Sequence, residues 1–184
     1  MSLEPCLLPN EYEDREEPRR RGDRMFEDLP GHEFCRAAPE EAPAIRALVR
    51  AAYAKYVVKL GREPKPMTAD YEAAVRDHQV WLLRVDGQPV AVLELVPGSD
   101  HMLIENVAVR EDQQGHGIGR KLMLFAEQEA VQQGYGELRL YTNEAMEGNV
   151  GRYQAMGYRE TRREPIGKSF TVHMSKPLAG GTRR

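Results

Sequence analysis

Leu103-Ile104-Glu105-Asn106-Val107-Ala108-Val109-Arg110-Glu111-Asp112-Gln113-Gln114-Gly115-His116-Gly117-Ile118-Gly119-Arg120-Lys121-Leu122 decides the reading of this chain. The apolar run up to Val109 predicts a strand, and a turn follows with glycines at alternate positions. A helical period begins at once over residues 117–133. Its Ile118, Leu122, Phe125 and Ala126 share one face, and Gly134 ends it. A helix start offers unpaired N–H groups with partial positive charge, and residues without a Cβ let a phosphate oxygen approach closely. Arg120 adds a cation, or is a solvated surface group.

Spacing separates the phosphate sites that use such a turn. A dinucleotide fingerprint needs Gly-x-Gly-x-x-Gly and an acid closing the next strand. Here Arg120 stands where the last glycine belongs, and residues 138–141 lead into Thr142-Asn143. A nucleotide P-loop needs Gly-Lys-Ser/Thr, which Gly119-Arg120-Lys121 does not supply. A tight turn with no ligand is the remaining alternative at this level.

Working upstream, residues 80–85 and 90–96 are apolar runs joined by Asp86-Gly87-Gln88-Pro89, which predicts a hairpin. Residues 34–37 read as a short strand. Pro39-Glu40-Glu41 opens a helix carrying Ile45, Leu48, Val49 and Ala52 at helical spacing. After the breaker-rich Gly61-Arg62-Glu63-Pro64-Lys65-Pro66, a second helical piece spans about residues 70–76. Downstream, strands are predicted over residues 138–141, 158–163 and 169–174, with a helix over 150–156 that stops at Gly157. The order predicts an α/β (α+β) protein: a mixed sheet with helices on both faces. Residues 1–32, rich in charge and proline, read as a flexible arm, residues 33–178 as one domain and residues 179–184 as a flexible tail.

At 184 residues and 41% apolar content the chain suits one domain with a full core. A formal charge of -3 gives no global cationic field, so no nucleic-acid partner is expected. Cys6 and Cys35 stand apart, and His78, His101 and His173 lack metal-ligand spacing, so neither a disulfide framework nor a metal is expected. No apolar run approaches the roughly 18 residues of a membrane span, and the start lacks a signal pattern. The expectation is a cytoplasmic protein with no membrane partner. Trp81 reads as core.

Gln114, Gly117 and Gly119 match the Gln/Arg-x-x-Gly-x-Gly/Ala signature of the GNAT superfamily of N-acetyltransferases. Ile104-Glu105-Asn106-Val107-Ala108-Val109 resembles its central strand, and Gly117-Ile118-Gly119-Arg120-Lys121-Leu122 its pyrophosphate helix. Leu140-Tyr141-Thr142-Asn143 and the stretch from Asn149 to Tyr158 resemble its second cofactor half. The resemblance covers about residues 34–177 and extends to a bacterial group of small GNAT-family enzymes. It implies the acyl-CoA N-acyltransferase fold: a largely antiparallel twisted sheet splayed at a central β-bulge, with acetyl-CoA in the opening. It also implies that Val107, Ala108 and Val109 pair with the pantetheine arm. Gln114, Gly115, His116, Gly117, Ile118, Gly119 and Arg120 would hold the pyrophosphate, His116 through its backbone with its side chain toward solvent, and Asn149 would reach the pantetheine. For Asn149 a helix N-cap is an equal reading.

Acetyl transfer needs a neutral amine, a stabilised oxyanion and a proton for the departing thiolate. An alkyl amine has an unperturbed pKa of about 10, so it arrives charged and must lose a proton. Glu105 interrupts an apolar strand and is the expected base. The alternatives are a carboxylate in a hydrated cleft or one paired with a buried Arg or Lys. Tyr153 is the expected proton donor, or else an aromatic packed between helix and sheet. A backbone N–H near Val107 is expected to meet the oxyanion. Tyr53, Tyr56, Arg62, Met67 and Tyr141 are expected to line the acceptor pocket, with Asn143 and Met146 nearby. Aromatics suit an amine and Arg62 a carboxylate, so the acceptor is expected to be a small molecule, amino-acid-like or polyamine-like. A protein or peptide acetyltransferase, or a regulatory module that binds acyl-CoA without turnover, are the alternatives. A homodimer is a further expectation of the family.

Overall fold

The computed structural model describes residues 22, 24–146 and 148–180. The first strand, β1 (His32–Arg36), is followed by a 3-10 turn at Pro39–Glu41 and by helix α1 (Ala42–Leu60). A second 3-10 turn (Lys65–Thr68) leads into α2 (Tyr71–Asp77), where Asp70 caps the helix by accepting from the Ala73 N–H at 3.0 Å. Three strands follow, β2 (Gln79–Val85), β3 (Gln88–Pro97) and β4 (Met102–Val109), then α3 (Ile118–Gln132). The chain closes with β5 (Glu137–Asn143), α4 (Asn149–Ala155), β6 (Arg159–Ile166) and β7 (Ser169–Pro177).

Among the described residues these strands form one seven-stranded sheet in the order β1-β2-β3-β4-β5-β7-β6. Every pairing is antiparallel except β4 with β5. The mixed, largely antiparallel sheet expected from the sequence is therefore present. One core lies on the α3 side, where Phe34, Trp81, Leu93, Leu122 and Phe125 pack together. The other lies on the α1 and α2 side, built from Ile45, Val49, Tyr71, Leu82 and Val92.

Phe26 corrects the domain boundary placed at residue 33. It is fully buried, with its ring 4.9 Å from that of Phe34, so the folded unit reaches back into the charged stretch. A phenylalanine gains by burial, while its charged neighbours keep their hydration by staying in water. Residues 1–21, most of the expected arm, and residues 181–184 of the expected tail lie outside the described residues.

Two irregularities of β4 create the site. Glu94 of β3 faces Asn106 and Leu95 faces Ile104, which leaves Glu105 as an extra residue on β4: a β-bulge. The pairing of β4 with β5 also stops there, at Ile104 opposite Leu140, although β4 runs on to Val109 and β5 to Asn143. The strands part beyond that point.

Candidate active site

A bulge inverts the alternation of the residues after it. Met102 and Ile104 belong to the α3-side core, whereas Ala108 belongs to the α1-side core, and Val107 and Val109 now pack on the α3 side. As a result Glu105 and Asn106, adjacent in sequence, both address elements on the α1 side. Glu105 meets Lys65 and Tyr141, while Asn106 meets Tyr53 and Tyr71.

The gap between β4 and β5 opens into a cleft of about 730 Å³, which is within the range of small-molecule sites, roughly 300–1,000 Å³. One end of it is the glycine turn. Gly115 and Gly117 have φ of +85° and +81°, the left-handed region where a Cβ is costly, and Gly117 caps α3. Gly119 differs: it lies within the helix, and a Cβ there would sit 3.8 Å from the nearest Val109 methyl. Nothing in the protein itself requires glycine at 119. The first N–H groups of α3 have no partner within the helix, and the β5-facing edge of β4 past Ile104 has no strand partner among the described residues. These two features are what a phosphate-bearing chain with amides needs. Gln114 serves the turn itself, donating from Nε2 to the Val109 carbonyl at 2.8 Å and accepting from Lys55 Nζ at 2.7 Å.

Asn149 lines the same cleft. The N-cap reading fails, because Gly148 occupies that position and Asn149 already lies in the helix. Its Nδ2 donates to Thr142 Oγ1 at 3.3 Å and its Oδ1 accepts from Arg152 at 2.9 Å.

Around Glu105 the groups are closely coupled. Lys65 Nζ donates to Glu105 Oε1 at 2.6 Å and to the Tyr141 hydroxyl at 3.1 Å, and that hydroxyl donates to the same Oε1 at 2.5 Å. Burial, and then the Glu105 hydrogen bond, push the Tyr141 hydroxyl up to about 12, so it keeps its proton at neutral pH. Burial alone would lower the Lys65 ammonium, but its bonds to Glu105 and Tyr141 outweigh that and leave it raised. Below this trio runs a buried chain: Tyr53 OH donates to Asn106 Oδ1 at 2.9 Å, Asn106 Nδ2 donates to Tyr71 OH at 3.1 Å, and that hydroxyl donates to the Pro66 carbonyl at 2.8 Å. It ties the bulge to the 3-10 turn that carries Lys65. Next to it Glu94 is buried and pairs with His78 at 2.6 Å; desolvation raises its carboxyl and the His78 contact opposes the shift.

Tyr153 approaches from the other side of the sheet, packed against the α3-side core with its ring 6.0 Å from that of Tyr158. Burial, with Tyr56 nearby, pushes its hydroxyl up to about 12. The gap is thus addressed by a carboxylate from one face and a protonated phenol from the other.

Of the residues expected to form the site, Glu105, Tyr153, Asn149, Val107, Ala108, Val109, Gln114, Gly115, Gly117, Ile118, Gly119 and Arg120 line this cleft. So do Tyr53, Tyr56, Arg62, Tyr141, Asn143 and Met146. Two do not. His116 is exposed and outside the lining, because the turn points its side chain to solvent. Met67 is buried with the 3-10 turn while its carbonyl accepts from Arg50 at 3.0 Å; Pro64, Lys65 and Pro66 form the wall instead. Sequence reading missed Lys65 and Asn106. A polar residue directly after Glu105 in an apolar strand was a signal for Asn106; nothing distinguishes Lys65 from a solvated lysine in a linker. Among the described residues no His, Cys, Asp or Glu cluster suits a metal, and no helix is long and apolar enough to cross a membrane.

Comparison with known proteins agrees with this geometry. The model of the acetyltransferase (GNAT) family matches residues 43–158. N-acetyltransferase family 8 member 3 of Rattus norvegicus is 29% identical over 87 residues, a stretch that is 44% of this chain and 38% of that relative. The ribosomal-protein-S18-alanine N-acetyltransferase of Escherichia coli shares the fold with a TM-score of 0.65 at 18% identity, over 80% of this chain and 94% of that one. A GNAT family acetyltransferase of Elizabethkingia anophelis with acetyl-CoA bound has a TM-score of 0.62 at 19% identity, over 80% and 99%. The strand that bulges at Glu105, the opening beside it and the glycine turn all fall inside the matched residues, and the chain belongs to the acetyltransferase (GNAT) family, acyltransferases that use acetyl-CoA as donor.

Proposed function

We propose that the chain transfers the acetyl group of acetyl-CoA directly to the primary amine of a small-molecule acceptor. Acetyl-CoA supplies an activated thioester. The N–H groups at the start of α3, with Gly115, Gly117, Gly119 and Arg120, hold its pyrophosphate, and the free edge of β4 at residues 107–109 pairs with the pantetheine amides. Asn149 closes on the same arm.

Glu105 accepts the proton of the acceptor's ammonium. The observation that carries this role is that the Glu105 carboxylate already holds an ammonium, that of Lys65, at 2.6 Å on the acceptor side of the gap. Tyr153, kept protonated by burial, donates to the departing thiolate, and a backbone N–H near Val107 meets the oxyanion. The aromatic wall of Tyr53 and Tyr56, whose rings lie 6.0 Å apart, with Tyr141 opposite, suits a small amine-bearing body.

The test is thiol release from acetyl-CoA with a panel of small amines and of peptides bearing lysine or a free N-terminus. Release with small amines, abolished in Glu105→Gln, is the expected result. Release with peptides alone would transfer the acceptor to the protein class, and binding of acetyl-CoA without release would leave a sensor.

A further inference from the structure

We infer that the acceptor carries an anionic group close to its amine, so that the substrate class is an aminocarboxylate or an aminoalkyl phosphate analogue and not a polyamine. This rests on the proposal that Glu105 receives the acceptor amine. The argument is one of charge balance. Among the described residues lining the cleft, Glu105 is the one carboxylate, whereas Lys55, Arg62, Lys65, Arg120 and Arg152 are cations. Three of these sit at the donor end: Arg120 in the first turn of α3, Lys55 on Gln114, and Arg152 on Asn149. Arg62 and Lys65 remain on the acceptor side.

Lys65 compensates Glu105 before any acceptor arrives. An acceptor ammonium that takes its place on the carboxylate evicts the Lys65 ammonium, and a cation without a counter-ion is left beside the newcomer. A neutral-bodied amine or a polyamine makes that exchange unfavourable by adding positive charge to a site already cationic. An acceptor with its own anion restores the balance, since its ammonium goes to Glu105 and its anion to Lys65. Arg62 lines the same cleft and is assigned to share that anion. Its guanidinium donates to the Glu63 carbonyl at 3.3 Å, and no ion pair among the described residues involves it. Lys65 has the freedom to follow, because its side chain is 69% exposed while that of Glu105 is 20% exposed. Arg62 and Lys65 are specificity-determining residues in this scheme.

The experiment measures kcat/KM by thiol release for matched probes: alanine and phenylalanine against their carboxamides, aminoethylphosphonate against ethanolamine, and spermidine, compared at equal concentration of free amine. The expected result is a preference of about tenfold or more for each anionic member, the size of one charge-assisted hydrogen bond. The preference is expected to fall with added salt. Arg62→Ala should erase most of it with the KM for acetyl-CoA unchanged, and Arg62→Lys should restore part. Lys65→Ala should raise KM for the anionic probes and lower it for the neutral ones. That opposite sign is not produced by a merely structural defect.

Neutral amines or spermidine preferred by the unaltered enzyme, or a preference that survives Arg62→Ala, overturns the inference while acetyl transfer stands. No release with any amine removes both readings together. The carboxylate and phosphonate pairs, read separately, say which anion the site takes.

Discussion

The two ends of the cleft are built on different principles. The donor end is built chiefly on backbone within residues 105–120: glycines with left-handed φ, the free N–H groups of one helix start and an edge of β4 without a strand partner among the described residues. The acceptor end is made of side chains from three places far apart in the chain, Tyr53 on α1, Lys65 on the 3-10 turn, and Tyr141 on β5, gathered around Glu105 and Asn106. A backbone site recognises what every family member shares, whereas a side-chain site is free to vary with the acceptor. Substitutions should therefore separate donor binding from acceptor turnover.

The largest effect is expected from Glu105→Gln, which keeps the shape of the bulge and removes the proposed base. A loss of kcat of about 10²- to 10³-fold with a nearly unchanged KM for acetyl-CoA is the expected outcome of steady-state kinetics. Equal loss in both would put Glu105 at the donor end and break the division. Tyr153→Phe should slow the single-turnover rate by roughly tenfold or more, again without loss of acetyl-CoA binding.

Asn106→Ala comes next. It strands the hydroxyl of Tyr53, at about 1–3 kcal/mol, and leaves Tyr71 only its bond to the Pro66 carbonyl, so the bulge is no longer tied to the turn carrying Lys65. Thermal denaturation should show the lost stability, and kinetics should show a raised acceptor KM with the donor KM spared. A raised KM for acetyl-CoA would mean that the bulge serves both ends through this residue.

The smallest and most diagnostic change is Gly119→Ala. The added methyl meets nothing closer than 3.8 Å and fills a helical position, where alanine is favoured over glycine by about 0.5–1 kcal/mol. Stability should rise slightly while affinity for acetyl-CoA falls a few-fold. If stability rises and affinity is untouched, glycine at 119 is not there to admit a phosphate.

The same division explains what the sequence made readable. The glycine turn, the strand before it and the helix after it are contiguous, so their spacing alone discriminates between phosphate sites. There His116 is exposed, and its backbone alone is left to serve the turn. The acceptor end depends on the face from which each strand and turn presents its side chains. Met67 looked like pocket lining because it is apolar in a linker beside aromatics, but an apolar side chain in a 3-10 turn gains more by turning inward. Lys65 was invisible for the opposite reason, since its meaning comes from Glu105, 40 residues away in sequence. Phe26 shows the same limit at the domain edge: one aromatic in a charged stretch carries no period, yet it fills the space against Phe34.

The bulge also constrains how this protein can change. Glu105 and Asn106 share one side of the sheet, so deleting Glu105 would turn β4 into a regular strand in which Asn106 and Ala108 stay toward α1 and Val107 and Val109 toward α3. The base and the irregularity would vanish in one step, with both cores and the pairing to β3 kept. A single-residue deletion at this position is thus a route to a folded descendant without the carboxylate, whereas an extra residue further along the strand would invert the facing of those after it.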